Sequence, residues 1–297
     1  MKIEEELDFR SLIKAFWDQK ILIISIISFF AIFSIISVLN TPNEYKAVSK
    51  IIPSEDSSSG RASTGLAAQL GGLAGIAGLG GDASTPEHLI ALEIMQSWSF
   101  VENFIEKNNL DKELYALQGW NPKSNELIFD EDVYDLDTDE WISIAPTSWK
   151  LYQLFLDRLS IIPQRDSTII NISYEHFSPV RSKEYVDLFL KEINSYMRLR
   201  KIEMATNNIT YLQSQANKTQ ISEMKSVFYN LIEEQTKTKM LAEVNVDYVF
   251  VTIDKAMVPE LKSKPFRSLI VIQTTFIGGL ISLALVLFIY IFRRKED

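Results

Sequence analysis

The chain has 297 residues, 39 of them acidic and 30 basic, for a formal net charge of −9, and it contains no cysteine. No basic stripe interleaved with aromatics runs through it, which argues against nucleic acid or another polyanion as partner in a positive groove. Without thiols there is neither a cysteine nucleophile nor a thiolate metal centre, and an oxidising compartment is permitted without being required.

In chain order, residues 1–20 form a short tail, and residues 21–39 (ILIISIISFFAIFSIISVL) are uncharged and long enough to cross a bilayer. The tail is acidic at Glu4, Glu5, Glu6 and Asp8, and no small-residue cleavage site follows the run, so it reads as an anchor in preference to a cleaved leader. Residues 44–53 alternate as a strand, with Tyr45, Ala47 and Ile51 on one side. Residues 62–81 are uncharged and rich in glycine, too weakly apolar for a third span, and are expected to form a loop. Ser84-Thr85-Pro86-Glu87 opens a helix expected to run to about Lys107, burying Leu89, Leu92, Trp98, Val101 and Ile105. A loop is expected from Asn108 onward. Within it, residues 126–140 hold eight acidic residues and no Lys or Arg. Asp135, Asp137 and Asp139 imitate the start of a calcium loop. However, Glu140 stands where the turn glycine belongs and Pro146 where the bidentate Glu belongs, so a solvated insertion is expected.

A helix at 147–158 leads into strands at 159–163 and 168–174, with Ile170, Ile172 and Tyr174 sharing a face. Ser178-Pro179 opens the longest helix, to about residue 217. Its seam of Val186, Leu190, Ile193, Met197, Met204 and Tyr211 has heptad-like, coiled-coil spacing, interrupted by Arg200 and Asn207. A second helix at 220–244 carries a stripe of Ile221, Met224, Phe228, Leu231 and Leu241, and a strand at 246–253 follows. At about 1.5 Å per residue the two helices measure roughly 57 and 38 Å, so an αα-hairpin of roughly 35–40 Å is expected to project from the rest. Residues 269–292 (LIVIQTTFIGGLISLALVLFIYIF) form a second span, roughly 36 Å as a helix against a hydrocarbon core of about 30 Å. Thr274, Gly278 and Ser282 recur every four residues in it, as do Thr275 and Gly279, a face that permits close helix contact. Residues 293–297 form a basic tail.

Two spans then flank one α/β domain. Seven Lys or Arg on the terminal sides against six on the loop side narrowly favour both termini in the cytoplasm. Catalytic signatures are missing: His88 and His176 stand far apart without a metal-binding motif, and no glycine-rich phosphate loop is present. No catalytic residue, cofactor or metal is therefore expected. Trp120, Trp141 and Trp149 are expected mainly to pack in the interior.

The stretch from Ser178 to Ile291, and above all AMVPELKSKPFRSLI with Pro259 and Pro265 followed by Gly278-Gly279, resembles the Wzz family of chain-length determinants, the polysaccharide co-polymerases; the strand after the first span fits too, so the resemblance covers nearly the whole chain. Lys262 departs from it, since many relatives carry a middle proline there. The resemblance implies an α/β membrane protein of the bacterial inner membrane, with termini in the cytoplasm and residues 40–268 in the periplasm. The base would comprise 40–178 and 246–268, and the helical arm 179–245. It implies a non-enzymatic homo-oligomeric ring that works with a Wzy-type polymerase on lipid-linked polysaccharide, setting O-antigen chain length in lipopolysaccharide biosynthesis. The tyrosine kinase carried by some relatives is expected to be absent. Pro259, Pro265, Thr274, Gly278, Gly279 and Ser282 are the expected structural and interaction residues. The alternative is a two-span periplasmic sensor or secretion adaptor.

Overall fold

The computed structural model describes residues 16–54 and 85–294. The expected loop at 62–81 and the outer parts of both tails lie outside them. The described chain divides into two units, residues 16–44 with 262–294 and residues 45–54 with 85–261.

The first unit is a pair of helices, α1 (Lys20–Asn40) and the last helix of the chain, named α8 below. The second unit is built in order from β1 (Tyr45–Pro53), α2 (Glu87–Met95), α3 (Trp98–Lys107), α4 (Asp111–Tyr115), β2 (Leu117–Asn121), β3 (Glu126–Phe129), β4 (Tyr134–Asp135) and β5 (Glu140–Trp141). It continues with α5 (Ser148–Arg158), β6 (Leu159–Pro163), β7 (Ile170–His176), α6 (Pro179–Lys218), α7 (Ser222–Val244) and β8 (Phe250–Asp254). The last helix, α8, spans Arg267–Arg294.

The main sheet has the order β6-β7-β1-β8, with every neighbour antiparallel. Its apolar face is legible in the alternation of β1, where Ala47 and Ile51 are buried, and of β7, where Ile170, Ile172 and Tyr174 are. Val186, Phe189, Leu190, Ile193 and Met197 of α6 close the core with Phe104 of α3 and Phe155 of α5. Phe104, Phe155 and Phe189 form an aromatic triangle with centroids 5.1–5.4 Å apart. Capping agrees with the residue types: Thr147 Oγ1 accepts from Lys150 N, and Ser178 Oγ from Arg181 N with Pro179 in the first turn.

Several expectations are corrected. The helix at 84–107 is two helices, because Ser97 takes an extended conformation while its hydroxyl donates to Ile94 O and the Tyr152 hydroxyl donates to Gln96 O. It starts at Glu87 after Pro86, with no side-chain cap. Leu89 and Trp98 are exposed and Leu92 is half-buried, while Val101 and Ile105 are buried together with Ala91 and Met95. The stretch after Asn108 is not plain loop. It contains α4 and two small hairpins, and the acidic segment, though exposed, is fastened: Tyr134 Oη and Lys112 Nζ both donate to Asp139. Those bonds hold the Asp139 carboxyl below its usual range, the tyrosine bond first.

On α6, Met204 and Tyr211 are exposed, and Ala205, Leu212 and Ala216 are buried instead. Up to Met197 the helix packs on the sheet; beyond it the neighbour is α7. That neighbour lies about one residue, or about 100°, further round the axis. Asn208 Nδ2 donates to Gln235 Oε1 between the two helices. The α7 stripe is largely uncovered: Ile221, Met224 and Leu241 are exposed, Phe228 and Leu231 half-buried, and only Ala242 is buried. The strand expected at 246–253 begins at Phe250, because the backbone before it is held by side chains. Asn194 Oδ1 accepts from Val249 N and Phe250 N, and Asn194 Nδ2 donates to Phe250 O. Trp149 is 57% exposed, not interior, whereas Trp120 and Trp141 are half-buried against Tyr45 and Tyr134.

Candidate functional site

Among the described residues no group of three or more His, Asp or Glu is placed to hold a metal ion. The two apolar helices and the approach to the second hold the residues singled out above. α1 and α8 run antiparallel: Arg267 at the start of α8 donates to Asn43 Oδ1 just beyond α1, and Glu44 bridges Lys264. Pro265 follows a cis peptide bond and is half-buried in this unit. Pro259 lies in the other unit, in the irregular stretch after β8.

Lipid tails are as apolar as leucine, so helices in a bilayer associate through close packing and satisfied polar groups. Gly278 is buried, and a Cβ built there would stand 2.8 Å from both Cβ and Cγ of Phe30. Gly279, one residue round the helix, has nothing within 4 Å of the same position. Ser282 is fully buried, its hydroxyl donating to Gly279 O at 2.7 Å, and half-buried Thr274 donates to Ile270 O at 2.9 Å. These bonds spend the hydroxyls within the helix and leave its surface smooth. Thus Gly278 and Ser282 lie in the buried seam, Thr274 at its margin, and Gly279 outside it. Sequence reasoning missed Phe30 and Ser34 on α1; a uniformly apolar helix gives no periodic clue to its contact face.

The other polar concentration lies inside the second unit. Glu113 of α4 accepts from Tyr185 Oη at 2.8 Å and pairs with Arg181 at 3.3 Å, while His176 Nε2 stands 3.7 Å away. His176 Nδ1 accepts from Ser178 N, so the ring is neutral. Burial first, then the Arg158 and Arg181 charges, lower its pKa to about 3. Burial, with the Glu113 charge next, raises the Tyr185 hydroxyl. This cluster ties the hairpin region to the start of α6. Glu113, His176 and Tyr185 are all buried, so the cluster supplies no exposed nucleophile.

Residues 5–108 match the family model described as Wzz, chain length determinant protein. Among solved structures, the chain is similar to a full-length bacterial polysaccharide co-polymerase at 12% identity, covering 98% of this chain and 99% of that one with a TM-score of 0.39. It is also similar to a fragment of WzzB, a polysaccharide co-polymerase from Salmonella Typhimurium, at 13% identity over 75% and 100% of the respective chains, with a TM-score of 0.31. No curated protein matches. The family match falls on residues 5–108, which include the first apolar helix and the strand that follows it, and it agrees with the resemblance to the Wzz family stated above.

Proposed function

We propose that this chain, a Wzz-type chain-length determinant, is a non-enzymatic scaffold of the bacterial inner membrane that biases the length of a surface polysaccharide of the O-antigen kind. The observation that carries the reading is the family match over residues 5–108. Two antiparallel helices of membrane-crossing length and composition, Lys20–Asn40 and Arg267–Ile289, support it. In this reading residues 40–268 face the periplasm and the α6–α7 pair is the projecting arm. Copies assemble as a ring that works beside a Wzy-type polymerase on the lipid-linked glycan. The seam at Gly278 and Ser282 holds the spans together, and the proline approach with Pro259 and Pro265 stiffens the join, since proline locks its own backbone φ.

Deleting the gene tests this. The banding of surface polysaccharide on a gel should lose its modal cluster and spread or shift, and the full chain supplied in trans should restore it. An unchanged ladder would defeat the proposal. Co-purification with an export pump, without any glycan change, would favour the adaptor reading instead.

A further inference from the structure

Beside α6, where the link after α7 and the far end of β8 approach it, the second unit has a recess of about 300 Å³. Lys191, Arg198 and Lys255 line it, and none has an ion-pair partner among the described residues. Arg198 Nε is buried with no acceptor. Of the two carboxylates in the lining, Asp187 is taken by Lys183 at 2.7 Å, which leaves Asp247 against three cations. The floor is rigid, because Asn194 is committed on both sides of its amide to the backbone of Val249 and Phe250. A group of three cations with an unsatisfied buried donor, on a chain of net charge −9, suits a carboxylate-rich surface.

The same chain displays such a surface. Of the eight acidic residues in 126–140, only Asp139 has an ion-pair partner among the described residues. At the tip between β4 and β5, Asp137 and the apolar Leu136 project outward, with Asp135 half-buried beside them. The recess matches both characters, since Leu190 and the exposed Val246 also line it. A glycan is the weaker occupant. No aromatic side chain lines the recess for a sugar to stack on, and its volume lies at the bottom of the small-molecule range of about 300–1,000 Å³.

We infer that the recess receives the acidic hairpin at 126–140 of a second copy of this chain. The two surfaces differ, so the contact is heterologous, repeats head to tail, and closes into a ring when the rotation allows. The inference rests on the scaffold reading only in requiring that copies meet.

The absence of native cysteine makes a clean test. Full-length Leu136→Cys and Val246→Cys, differently tagged, are co-expressed, and their membranes are oxidised with copper phenanthroline. Both sites are exposed, so folding is undisturbed. A mixed disulfide dimer is expected, in clear excess over either variant alone. Lys191→Glu with Arg198→Glu in the Val246→Cys chain should abolish it, and Asp135→Lys with Asp137→Lys in the Leu136→Cys chain should restore it. A cross-link indifferent to these reversals overturns the inference. So does its absence from copies shown by mass to associate, or a change in polysaccharide length on reversal with no cross-link in any variant. Because the cross-link is read without reference to the glycan, it can stand even if the polysaccharide ladder proves unaffected by deletion.

Discussion

Replacing Gly278 by alanine should weaken the α1–α8 pair, whereas the same change at Gly279 should not. The added methyl at 278 would lie 2.8 Å from Phe30 Cβ and Cγ, against an optimal carbon–carbon separation of about 3.5–4.0 Å. One helix must therefore retreat by roughly 0.7–1.2 Å, by the same separation. A rotamer change cannot relieve this, because turning χ1 of Phe30 moves Cγ and leaves Cβ attached to the α1 backbone. Overpacking of this kind costs about 1–3 kcal/mol. Both substitutions gain up to about 1 kcal/mol of helix propensity, so comparing them cancels that gain. The expected difference of about 1–3 kcal/mol corresponds to roughly five- to 150-fold in the paired-to-separated ratio. The assay is an SDS titration of the full chain in mixed micelles, with helix separation read by contact quenching between labels on cysteines introduced at Leu39 and Ser268. Equal weakening by both alanines, or a Gly278→Ala chain as resistant as the parent, would refute the steric argument.

Two further outcomes follow from the second unit. Asn194→Ala removes three hydrogen bonds to the backbone of Val249 and Phe250, at about 0.5–1.5 kcal/mol net each, so the chain should lose a few kcal/mol in denaturant titration. Asn194→Asp, which keeps the acceptor, should lose less; equal loss would argue against the backbone clamp. His176 binds a proton only near pH 3 when folded but near its usual value of about 6.5 when unfolded. Between those values unfolding takes up a proton, so this residue contributes stability that is present above about 6.5 and drains as pH falls, by at most about 1.4 kcal/mol per unit. The melting temperature of His176→Gln, whose amide oxygen can still accept from Ser178 N, should therefore fall less steeply over that window. Parallel curves would show that His176 does not titrate differently on folding.

What local chemistry dictates was legible before the fold. An uncharged run of 19 or 24 residues reads as a helix of bilayer length because every backbone polar group is satisfied within it. The alternation in β1 and β7, the Ser178-Pro179 start of α6 and the recurrence of small residues through Gly278 are likewise properties of short windows. The same windows could not say which small residue meets a partner. Gly278 and Gly279 are adjacent and chemically identical, and only the position of Phe30 distinguishes them.

Tertiary structure decided everything that depends on what lies across the gap. It broke the helix at Ser97, where Tyr152 holds the Gln96 carbonyl from more than 50 residues away. It shifted the α6 seam from Met204 to Ala205 where the neighbour changes from sheet to helix. It also assembled Glu113, His176, Arg181 and Tyr185 from α4, β7 and α6, and gathered Lys191, Arg198 and Lys255 around one recess. Periodicity reports that a face is apolar; burial, pairing and electrostatic strain arise only between segments, and no single stretch of sequence contains both partners.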